Sequence, residues 1–252
     1  MATALRPGLI LLLFASAALA QQVVGARAGT VHFTMGSVSV DGLPVQATEV
    51  RFPLLRDGQV VQTGRGRLEL LLAPEVFLRL SQQGTLRLTD THLDNTQVEL
   101  ISGTALVEVV AMAKNERIQI RYGVTRTEFK GAGLYRFDAG TGELRVFGGD
   151  AEVMAGDQKL TVGRGRLVYL GAGLLTAKFD VKKVDSLHKW SAERSFYLYA
   201  SSAEARLRRT DWEFTFTGWS WNKNFDMRFY SPIAAAEYRR RLDLEERMKA
   251  AF

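Results

Sequence analysis

The 252-residue chain is 46% hydrophobic and contains no cysteine. This composition can supply an apolar core, and it excludes a disulfide framework, thiolate metal sites and a lipid anchor on cysteine. The formal net charge of +6 can attract acidic polymers, but a charge of this size is more often only a solubility feature.

The first 20 residues have the three parts of a secretory signal peptide. Arg6 supplies the positive charge, an apolar run covers residues 9–14, and Ala18-Leu19-Ala20 fits the cleavage rule, so Gln21 becomes the first residue of the mature chain. The alternative is an uncleaved membrane anchor. It is disfavoured because the apolar run 7–20 is shorter than the ~20 residues that a spanning helix needs. We therefore predict a soluble periplasmic or secreted protein without stable membrane insertion after cleavage.

Short apolar runs alternate with turn signals from residue 31 to about residue 180, at the spacing of roughly 8–12 residues that is typical of all-β domains. Asp41-Gly42 and Asp57-Gly58 predict hairpin turns. Pro74 marks another turn, because a central strand rarely holds a proline. The predicted strands lie at 37–40, 52–55, 59–61, 67–72, 76–80, 85–89, 98–103, 106–110, 116–122, 142–147 and 150–153.

The strand at 116–122 has the clearest alternation. Ile118, Ile120 and Tyr122 alternate with Gln119 and Arg121. This period of two predicts one buried face and one solvent-exposed face.

A five-residue segment, Gly-Arg-Gly-Arg-Leu, occurs twice, at 64–68 and at 163–167. One interpretation is a pair of backbone nests for an anion, flanked by arginines. The favoured interpretation is two equivalent turns, in which Gly64 and Gly163 supply a positive φ or allow close approach of the backbone. A phosphate loop would place its glycines at the start of a helix, and here strands follow instead.

The pattern becomes helical after residue 180. Asp185 is a plausible N-cap, and Leu187 and Trp190 fit one face of a helix that extends to about residue 206. Ser231-Pro232 begins a second, charged helix near the C-terminus. A solvated helix is the favoured interpretation there, and a basic face toward anionic lipid or polymer is the alternative.

Aromatic residues are concentrated between these two helices. Trp212, Trp219 and Trp221 are candidate partner-binding residues, in a platform for sugars or for a protein partner. The alternative is a hairpin whose aromatic face packs on the β body. The density of rings favours burial of Trp212 and of at least one of the other two tryptophans.

The sequence contains no recognisable catalytic, cofactor or metal site. His32, His92 and His188 lie far apart, and none has a second ligand at a helical metal spacing. No nucleophile-elbow, Ser-x-x-Lys or phosphate-loop motif is present. We therefore predict no catalytic residue, no cofactor, no metal and no nucleic-acid partner.

Several segments, taken in order, resemble the FecR-like domain, a periplasmic sensing domain of bacterial signalling proteins. They are the "turn, strand, glycine pair, strand" segment at 58–70, strands at 76–80 and 98–109, a segment at 118–125 that continues to Phe137, and closing strands at 150–156 and 162–166. The resemblance covers roughly residues 31–179 and implies an elongated, solenoid-like all-β stack. Membrane-bound members relay a signal from an outer-membrane receptor to an anti-sigma segment. This sequence lacks such a segment before the domain and lacks a spanning helix, so a free exported module fits it better.

The predicted fold is mainly β, an elongated and twisted solenoid-like or sandwich-like stack with a short helical and aromatic C-terminal extension. The expected division is a signal peptide at 1–20, a FecR-like domain at 21–180 and the extension at 181–252. The expected function is non-enzymatic binding of another envelope protein or polymer, related to periplasmic signal sensing. The alternative is an enzyme or a lectin-like binder that acts on cell-wall or extracellular polysaccharide.

Overall fold

The computed structural model describes residues 27–47, 52–171 and 173–207. It contains fifteen strands and one helix within these ranges. They are β1 (Thr30–Val40), β2 (Leu43–Pro44), β3 (Val60–Ala73), β4 (Val76–Leu80), β5 (Thr85–Asp90), β6 (Thr96–Ser102), β7 (Thr104–Val109), β8 (Ile118–Tyr122), β9 (Thr125–Phe129), β10 (Gly133–Asp138), β11 (Glu143–Gly148), β12 (Asp150–Ala155), β13 (Gln158–Gly163), β14 (Arg166–Tyr169), β15 (Thr176–Lys178) and α1 (Ser186–Leu207). The prediction of a mainly β, stacked fold is confirmed.

All fifteen strands belong to one curled sheet whose two halves share the long strand β3. β1 pairs along one side of β3. The other side of β3 pairs with β5 through Val60–Gln62 and with β4 through Leu68–Ala73. We call the two halves A and B. The A half runs from β5 through β6, β8, β9 and β12 to β13, and the B half runs from β4 through β7, β10, β11 and β14 to β15. Among the strand pairs of the described residues, β6–β8 alone is parallel.

After β4 the chain alternates between the halves, with β5–β6 in A, β7 in B, β8–β9 in A, β10–β11 in B, β12–β13 in A and β14–β15 in B. The inner faces of the halves meet in one apolar core. Phe129 of the A half lies with its ring centre 4.5 Å from that of Tyr135 and 6.3 Å from that of Phe137, both in the B half. The arrangement is therefore sandwich-like, although the sheet is continuous.

The local turn predictions are mostly correct. Asp41-Gly42 forms the β1–β2 hairpin turn, with positive φ at both residues (49° and 79°), as a type I′ turn requires. A turn after Ala73 joins β3 to β4. The predicted hairpin at Asp57-Gly58 is wrong, because residues 52–55 form no paired strand and Leu54 makes only an isolated bridge to Thr30.

The repeated glycine segment does not form two equivalent turns. Its first copy lies inside β3, where the strand passes from one half to the other, and its second copy joins β13 to β14. The expected positive φ falls on neither Gly64 nor Gly163. The backbone constraint lies on the second glycine of each copy, since Gly66 passes close to β1 and Gly165 has a φ of +77°. At Gly163 a Cβ would meet only a side-chain oxygen of Asp150, at 2.8 Å.

Gly66→Ala is expected to lower the free energy of unfolding by about 1–3 kcal/mol, because overpacking forces the backbone to shift. A Cβ at Gly66 would lie 2.5 Å from the backbone oxygen of Met35 and 2.6 Å from that of Ser37. Urea denaturation of the purified protein measures the change. Gly171→Ala is the control, since a Cβ there meets no atom within 4 Å. Equal stability of the two variants would contradict the close approach of β1 to β3.

The alternation predicted at 116–122 holds on the inner face. Ile118 and Ile120 are each 1% exposed, and Tyr122 is half-buried and donates its hydroxyl to the carbonyl of Ala139. On the other face, Gln119 is buried rather than solvent-exposed. Its amide donates to Glu128 on the neighbouring strand at 2.7 Å, and this hydrogen bond offsets the cost of its burial.

Asp185 caps the N-terminus of α1, as predicted. One of its carboxylate oxygens accepts the backbone N–H groups of Leu187 and His188, each at 3.0 Å. Leu187 and Trp190 are buried against Leu106, Leu134 and Phe147 on the outer face of the B half. No helix in the described part of the chain is long and apolar enough to cross a membrane. The predicted signal peptide and the predicted charged terminal helix lie outside the described residues.

Candidate functional site

The three tryptophans proposed as partner-binding residues, Trp212, Trp219 and Trp221, lie outside the described residues. Whether they pack or bind therefore stays a prediction. The described residues offer other candidate surfaces, and the outer faces of the two halves differ sharply.

A buried charged network lies between the B half and α1. Glu69 of β3, Arg79 of β4 and Glu108 of β7 project toward the helix and are at most 2% exposed. The guanidinium of Arg79 donates to Glu69 at 2.7 Å and also to Glu108. Ser191 and Arg194 of α1 join the network, because the guanidinium of Arg79 contacts the Ser191 hydroxyl at 2.6 Å and Arg194 donates to Glu69 at 2.8 Å.

The charges in this network stabilise each other's ionised forms. Burial alone would raise the pKa of Glu69, but Arg79, a hydrogen bond from His32 and the nearby Arg194 outweigh burial and hold that pKa well below its usual range. Burial alone would lower the pKa of Arg79, and the two glutamates raise it instead. Because most of these groups bond to one another beneath the helix, with Nη2 of Arg79 as the one buried nitrogen of the guanidinium without a hydrogen-bond partner, we assign the network to stability rather than to ligand binding.

The outer face of the A half carries mainly polar side chains instead. Ile101, Arg126, Lys159 and Thr161 are exposed there, whereas Gln119 and Glu152 are buried. We call this surface the open face. It consists of the outward side chains of β6, β8, β9, β12 and β13, which alternate with the core residues of the same strands. The outward residues are Gln97, Glu99, Ile101, Gln119, Arg121, Arg126, Glu128, Glu152, Met154, Lys159 and Thr161.

One row of the open face holds its carboxylates in ion pairs. Glu128 and Glu152 are direct Cα partners on adjacent strands. The ammonium of Lys130 lies 3.9 Å from Glu128 and 3.3 Å from Glu152, and that of Lys159 lies 3.0 Å from Glu152. The hydrogen bond from Lys159 lowers the pKa of Glu152. The carboxylates of this row therefore lie beside lysines that can balance their charge.

The neighbouring row carries two arginines that form no ion pair with a carboxylate of the described residues. Arg121 of β8 and Arg126 of β9 are direct Cα partners across an antiparallel pair, and both line a cleft of about 410 Å³. Gln97 lines the same cleft, with Val124 and Met154 as its apolar part. None of the seven residues that line this cleft is acidic.

Sequence reasoning missed this arginine pair, although a signal was present. Gly123-Val124 lies between two strand runs as a two-residue loop, and such loops predict a hairpin. That hairpin alone would place Arg121 opposite Arg126.

A second cleft, of about 430 Å³, is lined by residues that include Leu54, Arg56, Asp57 and Leu93. Beside it, the ligand-type atoms of Asp57, Asp90 and His92 lie within 4.8 Å of one another. Asp90 accepts the backbone N–H of His92 at 3.0 Å, contacts its ring Nδ1 at 2.7 Å and accepts the Asn95 amide at 2.7 Å. Sequence reasoning did not anticipate this group, because Asp57 belongs to a different turn. These hydrogen bonds account for the positions of Asp90 and His92.

The histidines all lie beside carboxylates. His32 contacts Glu69 at 2.8 Å, and His188 contacts Asp185 at 2.9 Å. The hydrogen bond from Asp90, followed by the Coulomb attraction of the same carboxylate, raises the pKa of His92.

Comparisons with known proteins find no matching family model and no significantly similar curated protein. Among solved structures, the chain is similar to two crystal structures from Parabacteroides distasonis, each of a protein assigned as an anti-sigma factor. The first is 15% identical with a TM-score of 0.39, and the match covers 53% of this chain and 63% of the other. The second is 16% identical with a TM-score of 0.38 and covers 52% and 61%, respectively. The chain thus spans less than two thirds of the length of either structure.

Proposed function

We propose that this chain is an exported, non-enzymatic FecR-like domain protein that binds another protein or a polymer of the cell envelope through the open face. The difference between the two outer faces carries this proposal. Helix α1 packs on the outer face of the B half, so that face is covered by the protein's own helix. Within the part of the chain that the structure describes, no helix packs on the open face, and its exposed residues include Ile101, Arg126 and Lys159.

The chemistry of the open face suits binding better than hydrolysis. A glycosidase needs a pair of carboxyl groups, one of which has a raised pKa so that it can act as an acid. Glu128 and Glu152 lie opposite each other, but Lys130 contacts both and the pKa of Glu152 is lowered. The lowered pKa disfavours Glu152 as the protonated acid that the polysaccharide-cleaving alternative requires.

The FecR-like assignment is supported by the order of the resembling segments, and these segments occupy the curled sheet. The signal-like N-terminal segment supports export. The proposal includes no relay to a sigma factor.

Site-specific photo-crosslinking in the source cells tests the proposed surface. A photoreactive residue is placed at Ile101 or Thr161 on the open face, or at the control position Leu175, which is 70% exposed and lies between β14 and β15 of the B half. We expect a covalent adduct of increased mass from the two open-face positions and none from Leu175. Fractionation of the same cells should place the adduct in the envelope or the medium.

Two results would contradict the proposal. One is the same set of adducts from all three positions, because the open face would then have no special role. The other is release of soluble sugars from envelope polysaccharide by the purified protein, which would establish the enzymatic alternative.

A further inference from the structure

Arg121 and Arg126 form a repulsive pair in the middle of the open face. They are direct Cα partners in the β8–β9 hairpin, so their side chains project from the same side of the sheet. Like charges in directly opposed cross-strand positions are destabilising. An arginine cannot relieve this repulsion by losing its proton, since its guanidinium stays charged in proteins.

The carboxylates along this part of the described sheet bond to other groups. Glu99 is the parallel partner of Arg121, but it forms its ion pair with Arg87 at 2.8 Å. Glu152 bonds to Lys159 at 3.0 Å, and Glu128 accepts from Gln119 at 2.7 Å. Within the described residues, neither Arg121 nor Arg126 lies within ion-pair distance of a carboxylate.

The space in front of the pair has the character of an anion site. Both arginines line the cleft of about 410 Å³, and its lining contains no acidic side chain. Gln97 contributes an amide that can donate a hydrogen bond without adding charge. The planar fork of a guanidinium matches the two oxygens of a carboxylate or phosphate group.

We propose that Arg121 and Arg126 together bind one oxyanion, a carboxylate or a phosphate group. The anion supplies the negative charge that this part of the sheet lacks, and it converts the arginine repulsion into two attractive contacts. This inference rests on the proposed function, because it names the chemical group that the open face recognises in a partner.

NMR titration of the full-length mature protein with inorganic phosphate tests the site directly. The amide signals of Gly123 and Gly156, which line the cleft, are followed at low ionic strength, and sodium chloride of equal ionic strength is the reference. Separate titrations with acetate and with phosphate distinguish a carboxylate site from a phosphate site. The same spectra report whether each variant is folded.

We expect saturable shifts of these two amides with at least one of the two anions. Arg121→Gln or Arg126→Gln should weaken that affinity at least about tenfold, as expected for the loss of a hydrogen bond to a charged group. The control is Arg87→Gln, an arginine in the same row that is already paired with Glu99. It should leave the affinity unchanged.

Shifts that sodium chloride reproduces would overturn the inference, and so would unchanged affinity in a folded Arg121→Gln variant. This experiment requires no natural partner, so its outcome is separate from that of the crosslinking test. Anion binding without a crosslinked partner would support the oxyanion site and contradict the proposed function. A crosslinked partner without anion binding would support the proposed function and contradict the oxyanion site.

Discussion

Replacing Arg79 with alanine is expected to lower the free energy of unfolding by about 3–5 kcal/mol, the usual cost of removing one member of a buried ionic group. The change would leave the carboxyl groups of Glu69 and Glu108 beneath α1 without their shared guanidinium, and only Glu69 would keep an arginine partner, Arg194. Both carboxylates are at most 2% exposed, so water could not replace the lost partner. The hydroxyl of Ser191 would lose its contact with Arg79 as well, so the packing of α1 should also loosen.

Urea denaturation followed by circular dichroism measures this loss. Arg87→Ala is the matched control, because Arg87 also pairs with a glutamate but its side chain is 44% exposed. Exposed pairs of that kind contribute about 0–1 kcal/mol. A loss below about 1 kcal/mol for Arg79→Ala would show that the network is accessible to water and that the helix does not seal it.

A compensated variant distinguishes the destabilisation caused by an unpaired buried charge from that caused by lost packing. Arg79→Met combined with Glu69→Gln and Glu108→Gln removes the three most buried charges together and leaves only Arg194, whose side chain is 15% exposed. Replacing a buried ionic group as a whole is often neutral or stabilising, so the triple variant should be more stable than Arg79→Ala. If the triple variant were the less stable of the two, the network would contribute net attraction.

Ile120→Ala should cost about 2–5 kcal/mol, as large-to-small changes in a core do. Ile120 is 1% exposed and lies on the inner face of β8, opposite Val98 of β6 and Thr127 of β9. Because strands flank β8 on both sides and the B half packs on its inner face, the surroundings have little freedom to collapse into the cavity.

Thermal and urea denaturation of the purified variant check this value. Val124→Ala is the control, since Val124 follows β8 closely but is 72% exposed and surface changes are usually within about 0.5 kcal/mol. A loss below about 0.5 kcal/mol for Ile120→Ala would contradict its position in the core.

The sequence alone determined those features that depend on neighbours in the chain. The period of two at Ile118 and Ile120 identified a strand and its inner face, because successive side chains of a strand point to opposite sides. Asp41-Gly42 identified a hairpin, since few residues adopt the two positive φ values of its turn. Asp185 identified the start of α1, because its carboxylate accepts backbone N–H groups only two and three residues ahead.

Only the tertiary structure decided the features that depend on distant strands. Gly66 is constrained by its approach to Met35 and Ser37 of β1, and no local pattern marks which strand will lie beside it. Likewise, Glu69 and Arg79 have the sequence pattern of residues on a solvent-exposed strand face. They alternate with leucines in the same way whether their face is exposed or covered by a helix. They are buried because α1, more than 100 residues further along the chain, covers the B half. Nothing in the described residues covers the A half in the same way, and the open face is the consequence.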